Sequence, residues 1–160
     1  MGTRRRARWL GADEQQAWRS FLEATQLVFD ELDRQLQRDA GLSHADYEIL
    51  ARLSEAPGSR MRMSELAERA LFSRSRLSHA VVRLEEGGLV LRETCPTDRR
   101  GTFAVLTARG HDVVEGAAPG HVAAVRRMVF DRLGPSQVAQ LESISTAIRR
   151  AVAAEREGAA

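Results

Sequence analysis

Apolar residues recur along the chain at helical spacing first. Trp18, Leu22, Thr25, Phe29, Leu32 and Leu36 fall in alternating steps of four and three, a narrow seam that predicts a helix from Asp13 ending before Gly41. A seam on a charged helix of about seven turns exceeds what one small core needs, so it predicts packing against another chain. Ser43, with Asp46 three residues on, marks a second helix start, followed by the stripe Tyr47, Ile49, Leu50 and Leu53. Ala56-Pro57-Gly58-Ser59 ends it. A short helix follows over 63–70, with Ser64 as its expected cap and Leu66, Ala67 and Ala70 facing inward. After a turn through Leu71 and Phe72, Ser73 caps a helix that runs to Glu86 and closes at Gly87-Gly88.

The pattern then changes period. Residues 89–94 and 102–106 are strand-like, and the turn-rich stretch 96–101 between them predicts a two-stranded β-hairpin with a long basic tip. Thr107 opens another helical stretch carrying Val113, Val114, Val122, Val125, Val129 and Leu133, with an interruption expected at Pro119-Gly120. Gly134-Pro135 introduces a last helix in which Val138, Leu141, Ile144, Ile148 and Val152 share one face.

Projected at the α-helical period, the helix beginning at Ser73 separates into two sides. Leu77, Ala80, Val81 and Leu84 form the apolar one. Ser75, Arg76, His79, Val82 and Arg83 form the other, a set able to donate to phosphates and base edges while Val82 meets a thymine methyl. A short helix, a tight turn and a second helix with a basic outer face make a helix-turn-helix, whose second helix fits the major groove. The hairpin tip adds Thr97, Asp98, Arg99 and Arg100; arginine at such a tip suits the negative potential of a narrow minor groove. Asp98 is expected to hold an arginine, either Arg100 or one on the preceding helix. The predicted DNA-contacting set is Ser73, Arg74, Ser75, Arg76, His79, Arg83, Thr97, Asp98, Arg99 and Arg100.

The net charge of +2 says little, but its distribution supports this placement. Residues 1–12 carry four arginines and no acid, residues 13–56 four arginines against ten acids, residues 57–110 ten against six, and residues 111–160 six against six. The folded segment with a clear positive excess is the one holding the helix-turn-helix and hairpin. A length of 160 residues fits one domain with a real core, and the mix of 43% hydrophobic and 29% charged residues excludes a disordered chain. No apolar run reaches the ~18 residues of a membrane helix, and none follows the basic start as in a secretory signal, which predicts a cytoplasmic address.

The sequence resembles the multiple-antibiotic-resistance regulator (MarR) family of bacterial transcription factors over nearly its whole length. Asp98-Arg99-Arg100-Gly101 followed by Leu106-Thr107-Ala108-Arg109-Gly110 looks like the family's wing signature, an Asp-x-Arg and then Leu-Thr with a glycine three residues later. Ser64-Glu65-Leu66-Ala67 and Leu84-Glu85-Glu86-Gly87-Gly88-Leu89-Val90 look like its helix-turn-helix phrases. The resemblance implies a mainly α (α+β) winged helix-turn-helix with a two-stranded β-wing. Long N- and C-terminal helices would form a dimerisation region, and the dimer would read a pseudo-palindromic site. It divides the chain into a basic arm (1–12), a winged helix-turn-helix DNA-binding domain (43–107) and a helical dimerisation region (13–40 and 108–155), with Trp18, Leu22, Phe29, Val129, Leu141, Ile144 and Ile148 at the dimer seam. It also implies a small aromatic acid-like effector, for which Trp18, His44 and Tyr47 are the candidate pocket, although aromatics at helical spacing more often serve packing.

Other chemistry finds less support. Cys95, the single cysteine, has no partner within the chain for a disulfide and reads as structural. His44, His111 and His121 form no paired ligand motif, so no metal is expected, nor any other cofactor. No nucleophile-elbow phrase accompanies Cys95 or a histidine, so the chain is not expected to be an enzyme. The leading expectation is a ligand-responsive repressor that binds double-stranded DNA as a homodimer. The competing one is a winged-helix module for protein–protein assembly that does not bind DNA.

Overall fold

The computed structural model describes residues 7–95 and 98–158, the side chains of 98–100 and 157 excepted. In chain order the elements are α1 (Ala12–Ala40), α2 (His44–Ser54), β1 (Arg60–Arg62), α3 (Met63–Arg69), α4 (Arg74–Glu86), β2 (Val90–Cys95), β3 (Asp98–Leu106), α5 (Ala108–Met128) and α6 (Pro135–Gly158). Their contacts group into two compact units, one reaching to Ala117 and one starting at Ala118.

Local chemistry sets most of the helix boundaries. At the start of α1 the Gly11 N–H donates to Glu14 Oε2 at 2.8 Å, and at its end Gly41 takes the left-handed conformation at φ 65°, which glycine adopts without a Cβ clash. Ser43 Oγ accepts from the Asp46 N–H at 3.1 Å to start α2, and Ser73 Oγ accepts from the Arg76 N–H at 3.2 Å to start α4. Ser64 is not a cap. It lies inside the first turn of α3, because strand β1 runs directly into the helix and leaves Arg62, with extended backbone, at the N-cap.

The sheet has three antiparallel strands in the order β1-β3-β2, one more than the predicted hairpin. β1 pairs Arg60, Met61 and Arg62 with Val105, Ala104 and Phe103, and Met61 is buried by that pairing. β3 begins at Asp98, four residues earlier than the sequence pattern suggests, and a register irregularity at Thr94/Cys95 accommodates the longer strand. The core beneath it joins Leu36 of α1 and Ile49, Leu50 and Leu53 of α2 to Leu66 of α3, Leu77, Val81 and Leu84 of α4, Val90 and Ala104 of the sheet, and Val114 of α5. Each fully buried aliphatic side chain contributes about 1.5–3 kcal/mol.

The expected interruption at Pro119-Gly120 does not occur, since α5 continues as helix through Pro119. Proline removes one donor and crowds the carbonyl four residues back. The residues around it, Gly116, Ala117, Ala118 and Gly120, are all small. In the second unit the Arg126 guanidinium donates to Asp131 at 2.9 Å, and the Gly134 N–H donates to Gln137 Oε1 at 2.9 Å at the start of α6.

Candidate nucleic-acid interface

Helix α4 divides as its period predicts. Leu77, Ala80, Val81 and Leu84 are buried, while Ser73, Arg74, Ser75, Arg76, Ser78, His79, Val82 and Arg83 are exposed. A continuous polar and basic face therefore points outward from a helix whose other face is anchored in the core.

Its arginines are held differently. The Arg76 guanidinium lies over the Phe72 ring, 4.2 Å from its centroid. Arg83 donates to Asp46 Oδ1 at 2.9 Å, and Asp46 in turn accepts from the Ser43 hydroxyl at 2.6 Å. Arg83 is thus tied back to the first turn of α2, a contact the sequence reading did not anticipate. Arg74, at the first position of α4, is exposed.

The wing is fastened to this helix. Arg92 on β2 donates to the Ser78 carbonyl at 3.2 Å and lies 3.5 Å from Glu85. The Thr107 hydroxyl donates within reach of the Gly88 and Leu89 carbonyls, at 2.9 and 3.1 Å, and accepts from the Gly110 N–H at 2.9 Å. The Leu-Thr-x-x-Gly phrase is therefore a clasp joining the end of α4, the root of the wing and the start of α5.

Between α4 and the wing lies a cleft of about 410 Å³ lined by Arg62, Ser64, Arg74, Ser78, Arg92 and Thr102 with Met63 and Leu77 at its apolar wall. Of these polar residues only Arg74 belongs to the DNA-contacting set that the sequence predicts. Arg62 belongs to a strand too short to see in the pattern, and Arg92 sits mid-strand, where alternation alone marks it as merely exposed.

The tip residues Thr97, Asp98, Arg99 and Arg100 are placed only in part. Thr97 lies outside the described residues; Asp98, Arg99 and Arg100 are in β3, and the expected Asp98–arginine pairing concerns a side chain outside the described set. Cys95 at the end of β2 is buried, with the Arg62 guanidinium 3.2 Å from its Sγ.

The predicted effector residues are not gathered in one place. His44 packs edge-on against Phe29 at 5.2 Å, whereas Trp18 stacks with Phe21 at 6.1 Å. Trp18 lies eleven residues before Phe29 on the same helix, about 16 Å along the axis, too far to share a small pocket with His44. Burial, partly opposed by Glu48 and Asp33, pushes the His44 imidazole below its usual value. Tyr47 is buried in the core, which pushes its phenol up, with Glu48 and Glu55 adding to the shift.

The seam residues stand mostly on open faces. Trp18, Leu22 and Phe29 on α1 and Leu141, Ile144 and Ile148 on α6 are all exposed, and Val129 is partly so. Among the described residues no group of three or more His, Cys, Asp or Glu is arranged to hold a metal ion. No described helix is long and apolar enough to cross a membrane.

Comparison with known proteins places this arrangement. The chain is 54% identical to Sco3205, a MarR family transcriptional regulator from Streptomyces coelicolor solved in complex with DNA, over 91% of both chains and with a TM-score of 0.89. The chain belongs to the MarR family. AbsC, a second MarR family transcriptional regulator from S. coelicolor, is 46% identical over 92% of this chain and 99% of its own, with a TM-score of 0.88. The MarR family model matches residues 40–101, which span α2 to the start of β3. Among curated proteins the regulator MhqR of Bacillus subtilis is 30% identical over 42% of this chain and 46% of its own, and HosA of Escherichia coli O111:H- is 32% identical over 49% and 56%. The match spans about half the length of these curated relatives. As a member of the MarR family the chain is a transcriptional regulator with the winged-helix fold described above.

Proposed function

We propose that this MarR family regulator binds duplex DNA in a sequence-specific manner as a two-fold homodimer. Each 43–107 domain would set α4 in a major groove and the wing tip in the adjacent minor groove. The carrying observation is the division of α4 into a fully buried apolar face and an outward face bearing Ser75, Arg76, His79 and Arg83 beside a wing tied to it. A solvated helix face has no need of such a basic wing next to it. The DNA complex of the 54% identical Sco3205 supports the same reading.

The exposed apolar residues of α1 and α6 supply the dimer seam of the helical region 13–40 and 108–155, since apolar stripes at this spacing are a stable feature only when covered. Half-sites then lie about one helical turn, ~10 bp, apart. Repression follows from occupying the operator. Release by a small ligand follows if the ligand favours a dimer whose reading helices miss that spacing. CouR of Rhodococcus jostii, 25% identical over 79% of this chain, is known bound to p-coumaroyl-CoA and supports a ligand-responsive reading.

Fluorescence-anisotropy titration against genomic duplex fragments, at low and high salt, tests the DNA reading. Arginine–phosphate contacts release counterions, so affinity should fall steeply with salt. Arg100→Ala should weaken binding at least tenfold, a loss of about 1.4 kcal/mol or more, while the dimer persists on a sizing column. No competitor-resistant, salt-sensitive binding to any fragment would sink the DNA reading, and unchanged affinity in the variant would remove the wing from it.

A further inference from the structure

The arginines on the outer face of α4 are not equivalent donors. Arg83 has its charge answered by Asp46 at 2.9 Å near the end of the helix. Arg74 opens the helix and has no such partner among the described residues. Arg76, the third residue of α4, has its guanidinium over the Phe72 ring at 4.2 Å, and its backbone N–H is fixed by Ser73 Oγ. We propose that Phe72 is a positioning residue that holds the Arg76 guanidinium ready, and that Arg76 so held is the residue of α4 that specifies a guanine in the major groove. The proposal rests on the DNA-binding reading above and sharpens it.

The physical case begins with what the two kinds of contact demand. A phosphate accepts from a cation over a wide range of directions, so a freely rotating arginine serves it well. Reading guanine requires both N–H groups of one planar fork to meet O6 and N7 together, which succeeds when the fork is already oriented. An aromatic platform supplies that orientation if it is itself rigid. Phe72 is rigid: it is part-buried and packed against the core, and its backbone N–H donates to the Ala67 carbonyl at 2.9 Å. The place on the helix also fits, because the N-terminal residues of a recognition helix are those that meet base edges. Arg74, at the first position and without a partner among the described residues, suits a phosphate, and Arg83, paired with Asp46 near the far end of the helix, is less free to orient on a base.

The test uses the full-length protein as wild type, Phe72→Ala, Phe72→Tyr and Arg76→Lys, each selecting from a pool of randomised duplexes. Wild type should enrich a guanine at one position of each half-site. Arg76→Lys and Phe72→Ala should lose about tenfold in preference at that position, and Phe72→Tyr should keep it. The dependence of affinity on salt should be the same for Phe72→Ala as for wild type, since the charge at position 76 is retained. Replacing the enriched guanine by 7-deazaguanine, which lacks the N7 acceptor, should weaken wild type several-fold more than Arg76→Lys. Retained preference in Phe72→Ala, or a guanine preference indifferent to residue 76, overturns the proposal. Where Phe72→Ala does not fold, Phe72→Leu replaces it. The free protein is then examined by NMR for the upfield ring-current shift of the Arg76 side-chain protons, present in wild type and lost in Phe72→Leu; no shift in wild type overturns the platform. If wild type enriches no sequence at all, the DNA-binding reading itself fails, an outcome separable from enrichment that ignores Phe72.

Discussion

Gly110 has no room for a side chain: a Cβ there would run into the Leu89 carbonyl oxygen and sit 2.6 Å from Leu106 Cδ1. The backbone carbonyl has nowhere to go, because it also accepts from the Thr107 N–H at 3.1 Å. Gly110→Ala should therefore destabilise the protein by about 2 kcal/mol or more, read as a drop in the midpoint of urea denaturation. Thr107→Val keeps the shape but removes the hydroxyl that caps α5 and bridges to Gly88 and Leu89, and should cost about 1–2 kcal/mol in the same experiment. His44 gives a pH signature. Burial disfavours its imidazolium in the folded chain, so the unfolded chain, titrating near 6.5, takes up the proton first. Its contribution is complete above that value and is lost as pH falls below it. In a series of denaturation curves His44→Gln should lose less stability than wild type on acidification, and identical pH dependence would exclude His44 as the cause. The sequence signalled the Thr107 and Gly110 phrase but not its partner, because Leu89 is 21 residues away and only the fold brings the two together.

Helix caps and periods were written plainly enough that α1, α2, α4 and the hairpin are all legible from residues near in sequence. β1 is not. Arg60-Met61-Arg62 is too short to establish alternation, and its stability comes from Val105, Ala104 and Phe103, more than 40 positions away. The same distance in sequence hid the Arg83–Asp46 pair, which spans 37 positions and ties α4 to the first turn of α2. The turn between α3 and α4 holds a further feature. Leu71 has φ 56°, a left-handed conformation that costs a branched residue free energy, and its side chain is 71% exposed and so recovers little by burial. Leu71→Gly should stabilise the turn by about 0.5–1 kcal/mol, partly offset by the greater freedom of glycine in the unfolded chain. A lower denaturation midpoint in that variant would show that relief of the left-handed strain is outweighed by the freedom glycine gains in the unfolded chain.

At the scale of the whole molecule, each of the two units carries an exposed apolar stripe of its own. Trp18, Phe21, Leu22 and Phe29 on α1, with Leu141, Ile144, Ile148 and Val152 on α6, remain open in the isolated chain. Periodicity showed these stripes directly, since a helix announces its faces in its own sequence; the surface that would cover them in the proposed dimer is not written in that periodicity. Ile144→Glu together with Ile148→Glu should shift the protein to monomer in analytical ultracentrifugation. It should also reduce DNA affinity more than tenfold, because two half-sites are then bound independently. A persisting dimer would place the seam elsewhere.

The bonds from Arg92 to the Ser78 carbonyl and toward Glu85, with the Thr107 clasp below them, make the recognition helix and the wing behave as one jaw of a caliper. In the proposed complex a jaw of that kind would keep the helix and the root of the wing at one setting and would not adjust itself to a poor site. What remains adjustable in the proposed dimer is the opening between its two jaws, so a signal that silences this regulator needs only to change a spacing and leave both reading heads intact.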